Sequence, residues 1–289
     1  IEHYRAYTSL GLAVTGYDPD PPLYWRSDEG WLDADIISVC TWDDTHFSYS
    51  KRALGAGKHV FCEKPVIRNR AELEELRNTT RFAAGRFGCN MPLRYQTTFL
   101  LELDAALKEP GITSIEAEYH WGRHNKLYGW RKTIGDYSIV LGAGIHLVDL
   151  VQWKCGLGWI KPKGGLLTRQ DKSLDVADIA DIYCNSEKGV DVRFRVDCSD
   201  KEGHEHLIRV HRGEKSTVIR NTLPTDKQAG VLNFVKSIQG KERQNPTELE
   251  TIIAHDVCLT FVEQFGKTGA AESARIQWLA EDIKSTFWS

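Results

Sequence analysis

Two short stretches of the chain hold side chains able to move protons or to fix charge. Residues 62–65 read Cys-Glu-Lys-Pro, so Lys64 closes an apolar run and is followed at once by proline. A lysine there is a placed charge, unless it is simply a surface lysine after a strand. Residues 142–150 read Gly-Ala-Gly-Ile-His-Leu-Val-Asp-Leu, with His146 and Asp149 at a spacing that puts both on one helix face. Lysine and histidine are types whose pKa neighbours tune, so both are candidates for proton transfer and for stabilising developing charge. A helix-start histidine satisfied by the core has the same signature. Residues 121–137 crowd Arg123, His124, Lys126, Trp130, Arg131 and Tyr137 into one stretch. Aromatic rings stack on sugar rings, and arginine grips carboxylate or phosphate through paired hydrogen bonds. That set suits a sugar-type ligand, anionic or nucleotide-linked, and equally a solvated basic loop anchored by tryptophans. Asp43, Asp44 and His46 form another polar cluster, but spacing fixes no further ligand beside them and no metal is expected.

The elements that must position these residues follow from apolar patterning. Residues 36–40 form a short apolar run of the kind buried on both sheet faces. A helix over 47–54 stops at Gly55 and Gly57, and a second strand spans 59–62. Strand, helix, strand is a right-handed unit of a parallel sheet, whose ligands sit outside the carboxyl ends of the strands. Those ends carry Thr41, Asp44, His46, Glu63 and Lys64. A helix over 69–82 takes Asn69 as its N-cap, with Leu73 and Leu76 on one face. A strand over 86–90 then ends at Asn90. Upstream, 2–10 reads as a helix and 12–17 as a strand followed by Asp18.

The second half changes character. Alternation predicts strands over 113–119, 177–185, 190–198, 207–211 and 216–220, and helices over 99–107, 228–238, 247–264 and 270–289. One polar face along each strand marks an open, mostly antiparallel sheet packed on helices. The division is placed near Pro92: residues 1–92 form a nucleotide-binding domain and 93–289 a substrate-binding and oligomerisation domain. An open sheet face often joins subunits, so a homodimer or homotetramer is expected.

The two motifs carry a family resemblance. Gly-Lys-His-Val-Phe-Cys-Glu-Lys-Pro, 57–65, resembles the E-K-P signature of the glucose–fructose oxidoreductase / inositol dehydrogenase / MocA-like (Gfo/Idh/MocA) family of NAD(P)-dependent oxidoreductases. Thr-Trp-Asp-Asp-Thr-His, 41–46, is similar to its T-P-x-x-x-H segment, with Trp42 in place of proline. Residues 142–150 are similar to its G-x-H-x-x-D helix, and the likeness extends over roughly 4–265. It implies an α/β fold: a Rossmann-like doubly wound parallel sheet plus an α+β domain. It implies hydride transfer between NAD and a secondary alcohol or ketone of a sugar, polyol or nucleotide-sugar. Lys64 would contact nicotinamide and substrate, and His146 would act as general base or acid. Asp149, Arg123, Trp130 and Arg131 would serve the substrate, and Thr41, His46, Glu63 and Asn90 the cofactor. Asp18, ending the second strand, would accept hydrogen bonds from the adenosine ribose and repel a 2′-phosphate, favouring NAD over NADP; it is also a turn-forming residue before Pro19.

Two departures stand out. The family often has aspartate four residues before the histidine, where this chain has Gly142. No G-x-G-x-x-G turn, which brings backbone N–H groups to a pyrophosphate, is in the sequence. Either the record is incomplete at its N-terminus, or this is a catalytically silent homologue that binds a sugar or a partner protein.

Composition narrows the rest. The chain has 289 residues and a net charge of -3, without a basic footprint for nucleic acid. No apolar run approaches a membrane span, and Ile1 opens without a signal-peptide pattern. The seven cysteines lack a framework, which reads as reduced thiols in the cytoplasm. Cys40, Cys62 and Cys89 fall in predicted strands and read as small buried core residues.

Overall fold

The structure, a computed structural model, describes residues 2–18, 29–122, 124–128, 137–199 and 203–266. Its internal contacts group Ile1–Gln96 with Thr225–Ile252 as one unit, and Thr97–Pro224 with the residues from Ile253 onward as another. The contiguous boundary near Pro92 therefore leaves out a later segment, Thr225–Ile252, that packs with the first unit.

The first unit begins with helix α1, Glu2–Ser9. Strand β1 is Ile36–Val39, helix α2 His46–Gly55 and strand β2 His59–Cys62. Helix α3, Arg70–Phe82, starts where Asn69 accepts a hydrogen bond from the Glu72 N–H at 2.9 Å. Strand β3 is Phe87–Cys89. The three strands pair in parallel in the order β1-β2-β3. The strand expected over 12–17 is not formed: Tyr17 makes a single bridge, while Leu12 and Val14 pack against an apolar cluster. That cluster joins Ala6 and Tyr7 of α1 to Phe61 of β2 and to Val231, Phe234 and Val235 of the returning segment. The Phe61 and Phe234 rings lie 5.2 Å apart. Gly88 makes room for them, since a Cβ there would fall 2.7 Å from the Phe234 ring. The backbone of Phe87 is capped at the β3 edge: its N–H donates to Glu248, and its carbonyl accepts from Gln244. Pairing an edge this way removes a template for association.

In the second unit, helix α4 is Thr97–Lys108 and strand β4 Ser114–Trp121. A π-type turn, Val140–Gly144, runs into helix α5, Ile145–Lys154. Strands β5 (Ile160–Thr168), β6 (Ile179–Ser186), β7 (Asp191–Asp197), β8 (His204–Arg212) and β9 (Lys215–Asn221) complete a sheet ordered β5-β6-β7-β4-β8-β9. All its pairs are antiparallel except β4 with β7. Ile115, Ala117, Tyr119 and Trp121 are buried along one face of β4. The opposite face carries ion pairs, among them Arg193–Asp181 at 2.7 Å, Arg195–Asp197 at 2.9 Å and Arg209 on Glu116 and Glu118. Helix α6, Lys227–Ile238, lies in the first unit, and helix α7, Glu248–Phe265, runs on from the first into the second. The helix expected over 270–289 lies outside the described residues.

Candidate active site

Strand register builds one cluster of candidate residues, in the first unit. Val39, Cys62 and Cys89 align in one row across β1, β2 and β3. The next residues, Cys40, Glu63 and Asn90, therefore leave the carboxyl ends side by side. Glu63 Oε1 accepts from Asn90 Nδ2 at 3.1 Å and Lys227 Nζ at 3.3 Å, and lies 3.3 Å from His3 Nε2. Burial opposes ionisation of Glu63, but the His3 hydrogen bond and the charges of Lys227 and Lys64 outweigh it, holding its carboxyl well below the ordinary range. Lys64 and Thr41 follow β2 and β1 with partly exposed side chains. Asn90 is fully buried, braced against Glu63 and the Lys227 carbonyl. His46 is also buried: Nδ1 lies 2.7 Å from the Pro65 carbonyl and Nε2 3.1 Å from the Thr41 carbonyl. With both ring nitrogens on backbone, His46 ties the loop carrying Thr41 to the one carrying Lys64. Asp18 is half-buried and adjoins Tyr17. Sequence reasoning missed His3 and Lys227, which complete this ionic cluster from elements remote in sequence. Cys40, expected in the core, is exposed, because the strand ends one residue before it.

A second cluster, in the second unit, centres on α5. His146 and Asp149, one turn apart, are both buried. Gly144 lets the turn before α5 sit on β7, its Cβ position 3.1 Å from Val196. A π-type turn widens a helix and is frequent at functional sites. At Gly142, where the family often has aspartate, a Cβ would collide with the Tyr137 hydroxyl. The tyrosine thus occupies the volume an acidic side chain would need. The Tyr119 ring meets His146 edge-on at 6.4 Å and stacks on His206 at 4.0 Å, with His204 at 5.5 Å. Burial, reinforced by His204, drives the His206 imidazole down to about 3, so it stays neutral. The alternation His-Glu-His ahead of 207–211 was the available signal for these two histidines: it extends β8 upstream and puts both on the face of Tyr119. Arg123, Trp130 and Arg131 lie outside the described residues. Among the described residues no group of three His, Cys, Asp or Glu could hold a metal ion.

Comparison with known proteins agrees with this architecture. Residues 24–89 match the family described as "Oxidoreductase family, NAD-binding Rossmann fold". A myo-inositol 2-dehydrogenase from Lactobacillus plantarum superposes with a TM-score of 0.74 at 14% identity, covering 91% of this chain and 94% of that one. Through residues 24–89, the chain is similar to the Gfo/Idh/MocA oxidoreductases. The uncharacterized oxidoreductase YhhX of Escherichia coli K12 is 28% identical over 119 residues, 41% of this chain and 34% of its own. The glucose-6-phosphate 3-dehydrogenase of Bacillus subtilis is 27% identical over 194 residues, 58% of this chain and 55% of its own. The chain thus spans between a third and just over half of these two relatives. Its parallel Rossmann-like sheet and mostly antiparallel second sheet are the fold it shares with the solved inositol dehydrogenase structure.

Proposed function

We propose that this protein is an NAD-dependent oxidoreductase moving a hydride between nicotinamide and a secondary alcohol or ketone of a sugar, polyol or nucleotide-sugar. The observation that carries the reading is the row of parallel strand ends presenting Lys64 beside an internally neutralised Glu63. Relatives named for glucose 6-phosphate and inositol support the substrate class. The strand ends fit a dinucleotide: Thr41 and Lys64 would hold it, Glu63, Asn90 and His46 would fix their loops, and Asp18 would favour NAD over NADP. Bound NAD supplies the hydride acceptor. Lys64 donates a hydrogen bond to the substrate oxygen and stabilises its growing negative charge. His146 takes the hydroxyl proton on a ring nitrogen, with Asp149 one turn away in its helix. Arg123, Trp130 and Arg131 would grip the sugar. A homodimer or homotetramer through the charged sheet face and a cytoplasmic setting belong to the same proposal, and light scattering tests the former. Gly142 packed under Tyr137, where the family often has aspartate, favours a second reading, a silent sugar- or protein-binding homologue. Calorimetric titration of NAD and NADP separates the two. Binding of NAD in preference to NADP supports the enzyme, and binding of a sugar with neither nucleotide supports the silent homologue.

A further inference from the structure

The ionic cluster at the strand ends includes a thiol that hydride transfer does not use. Cys40 is exposed just beyond β1, and its Sγ lies 3.0 Å from His3 Nδ1. The same Nδ1 lies 2.6 Å from the Ser38 hydroxyl, and the other ring nitrogen faces Glu63 at 3.3 Å. Sulfur, imidazole and carboxylate thus form a Cys–His–Glu array whose three members come from β1, α1 and the end of β2. The other cysteines differ: Cys62, Cys89, Cys184, Cys198 and Cys258 are buried, and Cys155 is partly so.

We infer that Cys40 is a reactive thiol, activated by the His3–Glu63 pair, and a site of modification by peroxides and soft electrophiles. The thiolate is the nucleophilic form of cysteine, and an adjacent imidazolium stabilises it. Burial alone would push the His3 imidazole down, but its hydrogen bonds to Cys40 and Glu63 raise it to about 9, so His3 is cationic at neutral pH. The other ionisable groups of this neighbourhood include Tyr7 on α1, Cys62 on β2, Asp43 beyond β1, Lys64 beyond β2 and Lys227 on α6. With hydrogen peroxide, the sulfur attacks one oxygen, an S–O bond forms and the O–O bond breaks. The sulfur is oxidised by two electrons to a sulfenic acid, and the peroxide is reduced. The departing hydroxide takes the proton of His3 and leaves as water. The site does not depend on the dinucleotide reading.

The test is competitive labelling of the whole chain with limiting iodoacetamide, read by peptide mass spectrometry. Cys40 is expected to label at least about tenfold faster than Cys155, and His3→Gln to slow it by about tenfold, as loss of a thiolate partner does. The unmutated chain gives a second readout that does not rely on the variant folding. With limiting hydrogen peroxide, dimedone should trap a sulfenic acid at Cys40 and not at Cys155. A Cys40 that labels no faster than glutathione under the same conditions, no sulfenic acid trapped at Cys40, or an unchanged rate in folded His3→Gln overturns the proposal.

Discussion

Two buried histidines, one in each unit, have been driven to opposite charge states. His3 sits against a carboxylate and a thiol and is raised to about 9 despite burial. His206 sits against the Tyr119 ring and another histidine and falls to about 3. Burial acts in the same direction on both; the partners decide the outcome. The consequence is a division of labour. The strand ends of the first unit are ionic and locked, which suits holding loops such as those of Lys64 and Thr41. The neighbourhood of His146 is instead aromatic on the side of β4 and β8, where the Tyr119 ring meets it edge-on and stacks on His206.

The largest effect expected from breaking the contrast is at Glu63. Glu63→Ala leaves His3 and Lys227 without their shared carboxylate and should cost about 3–5 kcal/mol, as breaking a buried pair does. Urea denaturation measures it; a loss below about 1 kcal/mol, the scale of an exposed pair, would mean that the cluster is not coupled. Next is Gly142→Ala, which must displace the Tyr137 phenol and should cost about 1–3 kcal/mol by overpacking. Adding Tyr137→Ala should relieve that clash, so a double-mutant cycle with no coupling would contradict the packing. Smallest is His206→Phe, which keeps the stack on Tyr119 and should change stability by less than about 1.5 kcal/mol.

Proton linkage sharpens the same comparison. A raised folded-state pKa makes the His3 contribution fully present below its ordinary 6.5 and lost as pH rises through about 9. A lowered one makes the His206 contribution present above 6.5 and lost as pH falls toward 3. The Glu63 contribution is present above the ordinary carboxylate range and is lost in acid. Histidine NMR titration should show one imidazole titrating near 9 and another still neutral at pH 5. Two ordinary midpoints near 6.5 would dissolve the contrast.

Much of this was legible in the residues, and the rest was hidden for identifiable reasons. Short apolar runs read directly as β1 and β2, because a strand buried on both faces tolerates little else. The Asn69 cap was equally plain. Strand β5 was missed because Lys-Pro-Lys-Gly-Gly breaks alternation; it is an edge strand with an irregular register between Pro162 and Gly164. The return of residues 225–252 to the first unit rests on Phe234 meeting Phe61, a packing choice no local pattern announces. At the site, the motifs marked Lys64 and His146, while only three-dimensional proximity reveals the His46 ring nitrogens beside the Pro65 and Thr41 carbonyls and Asn90 Nδ2 donating to Glu63.

The most direct test of the proposed chemistry follows NADH absorbance over a panel of sugars, polyols and nucleotide-sugars, with the protein and its Lys64→Met variant side by side. The account predicts NAD reduction with at least one of them, and a folded variant whose turnover falls by at least about a hundredfold. Undiminished turnover in the variant would contradict the role of Lys64, and sugar binding with no nucleotide reduction at all would contradict the reaction itself.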